Sequence, residues 1–218
     1  LLRGQRAGLR YWLAPVSSTR WLEFPFALAA LLSRSLPETA GDCLDVSSPA
    51  LFSFFGAAVL NRTLQAGTIR MINPDERDLA RSAAILRTIH LPSLRTQLAG
   101  VEDVAGWRET FDCIWAISVI EHIGGAQADG AAARTLYDHL RPGGRLIVTV
   151  PVDRRYRVER RERAEYGFGQ PDETGQVFFQ HVYDEDALEA HLLSALPIRP
   201  ARIGSPVGMA CPQPMLAR

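Results

Sequence analysis

A glutamate and a histidine stand next to each other shortly after an apolar run, and both can take part in acid–base chemistry. The run Phe111–Ile117 has the composition of a buried strand, and Glu121 and His122 follow it. An imidazole titrates near neutral pH, so His122 is a candidate general base, and Glu121 is a candidate for orienting a substrate or binding a cation. The alternative is that the pair only packs beneath a cleft.

A second candidate group lies in the turn after the first predicted strand. Asp45 is in that strand, and Ser47, Ser48 and Pro49 follow it. Ser48 is a suitable N-cap, and Pro49 suits the first position of a helix whose N-terminus offers free amide groups. Serine hydroxyls at this turn would bind a carboxylate. The alternative is a turn that only joins a strand to a helix.

Strands and helices alternate along the chain and decide where these side chains lie. Strands are predicted over 42–46, 68–72, 111–117 and 146–150, and helices over 48–60, 73–86, 129–140 and 184–196. Asn73 is the predicted N-cap of the second helix, and Asp129 that of the third. The third strand of the sheet is poorly defined in the sequence.

This alternation predicts an α/β fold. Right-handed crossovers give a Rossmann-like three-layer sandwich with a mainly parallel sheet, in which ligands bind at the carboxyl ends of the strands. Residues 1–36 are predicted to form an N-terminal helical cap that packs on the domain or covers a substrate. Residues 37–218 are predicted to form the α/β domain, with an insertion at about 152–176.

Two segments at a fixed separation carry a family resemblance. FDCIWAISVIEHI at 111–123 is followed by a predicted helix and then by LRPGGRLIVTVP at 140–151. The pair resembles the fourth and fifth motifs of class I, S-adenosylmethionine-dependent methyltransferases, especially their small-molecule subgroup. The segment VFFQHVYDEDALEAHLLSAL at 177–196 also resembles the family's late strand and helix. The resemblance extends over roughly residues 40–200.

The resemblance implies an enzyme that binds S-adenosylmethionine and methylates an oxygen, nitrogen or carbon of a small molecule. It implies a cofactor site lined by six residues: Asp45, Ser47, Ser48, Asn73, Asp103 and Ser118. Ser118 would lie beside the methionine part and Asp103 near the adenine, although Asp103 is equally explained as an exposed loop residue. Glu121 and His122 would face the reacting group, with His181 as a second candidate near the substrate entrance.

The chain departs from the family at both cofactor motifs. The usual Asp-x-Gly-x-Gly-x-Gly is replaced, so that Ser47, Pro49 and Leu51 occupy the glycine positions. The acidic residue that ends the second strand in the family is replaced by Met71, which leaves Asn73 or Asp75 as substitutes. These departures motivate an alternative: a non-catalytic methyltransferase-like scaffold or partner subunit that does not bind the cofactor.

An arginine-rich segment follows the fifth strand of the resemblance. Residues 153–165 read DRRYRVERRERAE, with six arginines among four acidic side chains. The family often carries a substrate lid here, and a basic lid would hold a phosphate, a carboxylate or a nucleotide sugar. The alternative is a solvated face with local ion pairs.

Composition narrows the remaining classes of function. The 24 basic side chains, all arginine, balance 24 acidic ones, so no net charge attracts nucleic acid or an anionic membrane. Three scattered cysteines support neither a metal site nor a disulfide framework, and no apolar run has membrane-spanning length. A nicotinamide-dependent oxidoreductase is disfavoured because Gly-x-Gly-x-x-Gly is absent. We therefore expect a cytoplasmic, bacterial protein with a small-molecule substrate and no metal. The oligomeric state and the residues before Leu1 stay open.

Overall fold

A five-stranded parallel sheet organises the chain, in the order β3-β2-β1-β4-β5. Its strands are β1 Cys43–Val46, β2 Ile69–Asn73, β3 Leu94–Leu98, β4 Phe111–Ile117 and β5 Leu140–Thr149. The computed structural model describes residues 18–32, 41–47, 68–88, 93–125, 127–164, 169–199, 204–205 and 209–210. The strand order reverses between β1 and β4, which is where sheets of this kind bind ligands.

Helices cover both faces of the sheet. They are α1 Ser18–Leu32, α2 Glu76–Thr88, α3 Val101–Val104, α4 Ala128–Asp138 and α5 Glu185–Ala187, which continues as a π-helix over Leu188–Leu193. On one face, α1 packs through Ala27 and Leu31 against Cys113 and Trp115 of β4. The other face carries α3, α4 and the π-helix in a second core cluster. The predicted α/β three-layer architecture is therefore confirmed.

A hairpin extends the molecule beyond β5. Its strands are β6 Arg157–Arg161 and β7 Val177–Val182, which pair antiparallel. Backbone hydrogen bonds join the hairpin to the chain leaving β5, since the Asp153 N–H donates to the Tyr183 carbonyl and the Tyr183 N–H to the Pro151 carbonyl. A further two-stranded ribbon comprises β8 Gly204–Ser205 and β9 Met209–Ala210.

Several predicted boundaries need correction. The helix expected from Asn73 begins at Glu76, because the Asp75 carboxylate accepts the Arg77 N–H at 2.8 Å and so caps it. The predicted Asp129 cap is wrong, since Asp129 lies inside α4 and its carboxylate is fully buried. β5 begins at Leu140 and reaches its main pairing with β4 through an irregular step. The predicted helix over 48–60 lies outside the described residues.

An ionic network ties together the ends of the strands opposite the expected ligand side. Arg141 contacts the Asp112 carboxylate at 2.7 Å and the Asp42 carboxylate at 3.2 Å. The Thr68 hydroxyl donates to Asp42 at 2.6 Å, and this hydrogen bond is the main reason that the pKa of Asp42 lies below its ordinary value. The amino ends of β1, β4 and β5 are thereby fixed to one another.

Within the described ranges, no helix is long and apolar enough to cross a bilayer.

Candidate functional site

Two serines adopt left-handed backbone conformations at the ends of the two strands that flank the reversal in strand order. Ser47 follows β1 with φ of 50°, and Ser118 follows β4 with φ of 52°. A left-handed conformation costs a non-glycine residue about 1–2 kcal/mol, so the surrounding structure must hold both turns. Ser47 occupies the first of the substituted glycine positions. The turn therefore keeps a conformation that glycine adopts readily, although the residue is serine.

The side chains that end β1 and β2 make local hydrogen bonds. The Ser47 hydroxyl donates to the Ile72 carbonyl at 3.3 Å. The side-chain oxygen of Asn73 accepts the Asp75 N–H at 2.8 Å. The Ala99 N–H donates to the Asn73 carbonyl at 3.3 Å, which brings the end of β3 to the same edge. Among the described residues, the Asn73 side-chain amide donors have no partner and can donate to a ligand hydroxyl.

The two aspartates predicted for the cofactor site lie in different surroundings. Asp45 is fully buried within β1, in register with Met71 and Trp115 of the neighbouring strands. Asp103 is exposed in the first turn of α3, where its carboxylate accepts the Gly100 N–H at 2.8 Å as part of a helix cap. Asp103 thus lies near the carboxyl ends of β2 and β3, and one of its two carboxylate oxygens accepts the Gly100 N–H. Ser48 lies outside the described residues.

A glutamate from the N-terminal helix reaches the exits of β4 and β5. The Ser118 hydroxyl donates to the Glu23 carboxylate at 2.6 Å, and the Thr149 hydroxyl lies 3.5 Å from the same oxygen. Glu23 is only 7% exposed. One feature of the sequence indicates its importance, because Glu23 is a charged residue inside the apolar run 21–32. Its contact with Ser118, 95 positions away, could not be predicted.

Glu121 and His122 lie together in a short 3₁₀ turn over Ile120–His122, and Glu121 is only 2% exposed. The His122 Nδ1 lies 2.8 Å from the Phe179 carbonyl, which can only accept, so Nδ1 carries the proton. In the neutral ring, Nε2 then has the lone pair, and it lies 3.9 Å from the Glu121 carboxylate. A backbone carbonyl that fixes the tautomer of a histidine is an arrangement suited to a general base.

A β-bulge supplies the carbonyl that holds His122. The β6–β7 register passes from Glu159 with Gln180 to Arg160 with Phe178, so Phe179 is the extra residue. The Phe179 ring packs on the His122 ring with centroids 5.0 Å apart, and the Arg161 guanidinium lies 3.5 Å from the Phe179 centroid. The hairpin is therefore seated on the turn that follows β4.

The arginines of the hairpin make local ion pairs. Arg157 contacts Asp153 at 2.5 Å and Glu159 at 3.1 Å, and Arg160 contacts Asp172 at 3.1 Å. These side chains are about half exposed, where such pairs contribute little to stability. At these two arginines the arrangement agrees with a solvated face.

A buried polar cluster lies between β7, α4 and the π-helix, and sequence reasoning did not identify it as a unit. The Asp129 carboxylate accepts the Tyr183 hydroxyl at 2.8 Å and lies 3.2 Å from the His191 Nδ1. The Tyr156 hydroxyl is 2.8 Å from the His181 Nδ1. Burial, followed by the hydrogen bond to Asp129, raises the pKa of Tyr183, and burial lowers the pKa of His181. The phenol therefore stays protonated and donates.

Comparison with known proteins agrees with this fold. Residues 55–148 match the sequence model of a family described as a methyltransferase domain. No curated protein matches the sequence. Among the described residues, no group of three or more His, Cys, Asp or Glu side chains is arranged to hold a metal ion.

Solved structures of similar fold are distant in sequence. The [4+2]-cyclase SpnF is 20% identical with a TM-score of 0.50, over 78% of this chain and 55% of that chain. The N-methyltransferase NodS from Bradyrhizobium japonicum WM9, in complex with S-adenosyl-L-homocysteine, is 17% identical with a TM-score of 0.49, over 63% of this chain and 64% of that chain. This chain thus spans less than two thirds of the length of either. Residues 55–148 are thus similar to a methyltransferase domain, and the strand order and the structural likeness show a Rossmann-like fold.

Proposed function

We propose that this protein transfers a methyl group from S-adenosylmethionine to a small-molecule acceptor. The observation that carries the proposal is the pair of left-handed turns at Ser47 and Ser118, on either side of the reversal in strand order. These turns lie at the carboxyl ends of β1 and β4, the position at which α/β sheets bind nucleoside ligands.

The residues at this edge fit such a cofactor. The Ser47 turn has the left-handed backbone conformation that glycine adopts readily, and the Asn73 amide group can donate to ribose hydroxyls. Asp103 retains a carboxylate oxygen beyond the one that caps α3. Ser48, Asp45 and Ser118 complete the proposed cofactor site. When bound, S-adenosylmethionine supplies an electrophilic methyl group.

His122 is the proposed general base. Its Nδ1 proton is held by the Phe179 carbonyl, so its Nε2 can accept a proton from an acceptor hydroxyl or amine. Glu121, 3.9 Å away, would stabilise the imidazolium that forms. The acceptor is a small molecule rather than nucleic acid, because the formal net charge is zero. We further propose a cytoplasmic location in a bacterium, where buried thiols such as Cys43 stay reduced.

Calorimetric titration with S-adenosylhomocysteine and S-adenosylmethionine tests cofactor binding. We expect micromolar binding, on the order of −8 kcal/mol, to the wild type. Ser118→Trp should abolish it by occupying the proposed cofactor site, whereas Ser194→Trp, at an exposed position directly after the π-helix, should not. A folded wild type that gives neither heat nor ligand-dependent thermal stabilisation would overturn the proposal.

Replacing the proposed base tests the chemistry. His122→Gln should lower the rate of methyl transfer by about 10²–10⁴-fold and leave the affinity for S-adenosylhomocysteine unchanged, since general-base catalysis contributes a factor of that size. The matched control is His139→Gln, because His139 contacts the Thr135 and Trp107 carbonyls and is not part of the proposed site. Unchanged turnover in His122→Gln would remove this residue from the chemistry.

A cofactor-free scaffold is the second candidate, and one observation favours it. Several side chains predicted to bind the cofactor already have internal partners: Ser47 with Ile72, Ser118 with Glu23, and Asp103 with Gly100. The likeness to a [4+2]-cyclase also cautions that the fold alone does not determine the reaction. The titration above separates the two candidates, because a scaffold would be folded but would bind neither S-adenosylmethionine nor S-adenosylhomocysteine.

A further inference from the structure

A buried tyrosine–histidine cluster anchors the end of β7. It comprises Asp129, Tyr156, His181, Tyr183 and His191. Asp129 and Tyr183 are fully buried and hydrogen-bonded to each other at 2.8 Å. The Tyr156 and His181 rings stack with an interplanar angle of 15° and centroids 5.9 Å apart. The cluster therefore joins β7 to α4, to the π-helix and to the segment before β6.

Two features show that the cluster is more than apolar packing. His181 is only 7% exposed. Among the described residues its Nε2 has no hydrogen-bond partner, and leaving a buried polar atom without a partner costs free energy. His191 lies in a π-helix, a geometry often found at functional sites. The π-helix packs so closely on α4 that a Cβ at Gly130 would lie 2.2 Å from the His191 carbonyl oxygen.

The same strand carries both the cluster and the carbonyl that holds His122. Phe179 is the bulged residue of β7, and His181 and Tyr183 lie two and four positions further along. Because the bulge interrupts the ladder with β6 at Phe179, the placement of its carbonyl depends on the residues that anchor the strand on either side. On one side Phe178 packs against Gly124, and on the other side the cluster holds His181 and Tyr183.

The charges around the cluster come from four elements. Asp129 of α4 and His191 of the π-helix face His181, and Glu121 of the 3₁₀ turn and Tyr156 act electrostatically on Tyr183. Asp184 fixes Tyr156 by accepting its backbone N–H at 2.8 Å. Removal of the Asp129 charge would thus release the Tyr183 hydroxyl and the His191 ring together.

We propose that Asp129 and Tyr183 are positioning residues for His122: they hold the end of β7 so that the bulged Phe179 carbonyl keeps the His122 Nδ1 protonated. The catalytic consequence of this inference rests on the proposed function. The structural part of the inference concerns only the tautomer of the His122 ring. It assigns a role to buried residues that are not among those proposed to bind the cofactor.

Long-range ¹H–¹⁵N correlation NMR of the histidine rings tests the structural part without any need for turnover. In the wild type we expect His122 in the Nδ1–H tautomer. In Asp129→Asn, and in Tyr183→Phe, which removes one oxygen atom and keeps the ring, we expect a mixture of tautomers at His122. His139→Gln, at the far end of α4, should leave the His122 tautomer unchanged.

Kinetics then tests the consequence. If the wild type transfers methyl groups, Tyr183→Phe should lower kcat by about 10–100-fold with the affinity for S-adenosylhomocysteine unchanged, as expected for displacement of a catalytic group. An unaltered His122 tautomer in both variants, with shifted His181 and His191 resonances, would overturn the inference. A wild type without cofactor binding would sink the proposed function but leave the tautomer measurement decisive for the inference.

Discussion

At the scale of single residues, the left-handed backbone of Ser47 makes a direct prediction. Ser47→Gly should retain or strengthen binding of S-adenosylhomocysteine, because glycine adopts a φ of 50° without steric cost. Ser47→Val should weaken binding and destabilise the fold, because a β-branched side chain is strained in this conformation, by about 1–2 kcal/mol or more. Calorimetric titration and urea unfolding measure the two effects.

The Ser47 hydroxyl offers a control for this comparison. Ser47→Ala removes the 3.3 Å contact to the Ile72 carbonyl while keeping a Cβ at the left-handed position. If Ser47→Ala and Ser47→Gly lose affinity equally, the hydroxyl rather than the backbone conformation determines binding, and the interpretation of the turn as a glycine substitute is wrong.

The positions of the candidate side chains were predictable where they follow from position along a strand. Glu121 and His122 were identified because they follow the buried run 111–117, and the structure brings them together at the end of β4. Glu23 and Asp129 were not identified, because their partners Ser118 and His191 lie 95 and 62 positions away. Asp129 was instead interpreted as a helix N-cap, so its buried contacts with Tyr183 and His191 were not predicted.

At the scale of elements, a buried hydrogen bond joins α1 to the exit of β4. The Glu23 carboxylate accepts the Ser118 hydroxyl at 2.6 Å with Glu23 almost fully buried. A double-mutant cycle of Glu23→Gln and Ser118→Ala should give a coupling free energy of about 1.5–3 kcal/mol in urea unfolding, the range for hydrogen bonds to charged groups. A coupling near zero would show that this hydrogen bond does not help to hold α1 on the sheet.

The contact between α4 and the π-helix makes a second prediction for elements. Gly130→Ala should lower the free energy of unfolding by about 1–3 kcal/mol, because the added Cβ would lie 2.2 Å from the His191 carbonyl oxygen. Gly106→Ala is the matched control, since the nearest atom would be 3.6 Å away. Equal stability of the two variants would contradict the close packing of these helices.

Strands were predictable from the sequence when most of their residues are apolar. β4 was predicted because all seven of its residues are buried and all but Asp112 are apolar, as in a central strand covered on both faces. β3 was not, because it pairs only with β2 in the described sheet and buries only Leu94. The bulge at Phe179 left no trace in the sequence, since a bulge depends on the partner strand.

At the scale of the whole molecule, the two ends of the sheet have separate roles. Arg141 forms ion pairs with Asp42 and Asp112 at the amino ends of the strands, and the candidate site occupies the carboxyl ends. The charged side chains at the amino ends pair with side chains of neighbouring strands, and these ion pairs stabilise the sheet. Those at the carboxyl ends belong to loops and to helices from distant parts of the chain, which explains why the fold followed from local patterns more readily than the site did.

The buried histidine gives the molecule a stability that depends on pH. Burial lowers the pKa of His181 below its ordinary value of 6.5, so below pH 6.5 the unfolded chain binds a proton that the folded chain resists. This contribution is present above pH 6.5 and is lost as the pH falls through the folded pKa. Asp42, Asp153, Asp172 and Asp184 have lowered pKa values, and their contributions are lost only below about pH 4.

Urea unfolding of the whole chain at pH 7.5, 6.5 and 5.5 measures this effect above the range in which these four aspartates lose their contributions. We expect the free energy of unfolding to fall with acidification, and His181→Gln to show a smaller slope whatever its absolute stability, since glutamine does not titrate. Stability that rises towards pH 5.5, or a slope that is equal in the two proteins, would mean that His181 accepts a proton in the folded state. The cluster would then be held by a charged His181 next to Asp129 rather than by neutral rings.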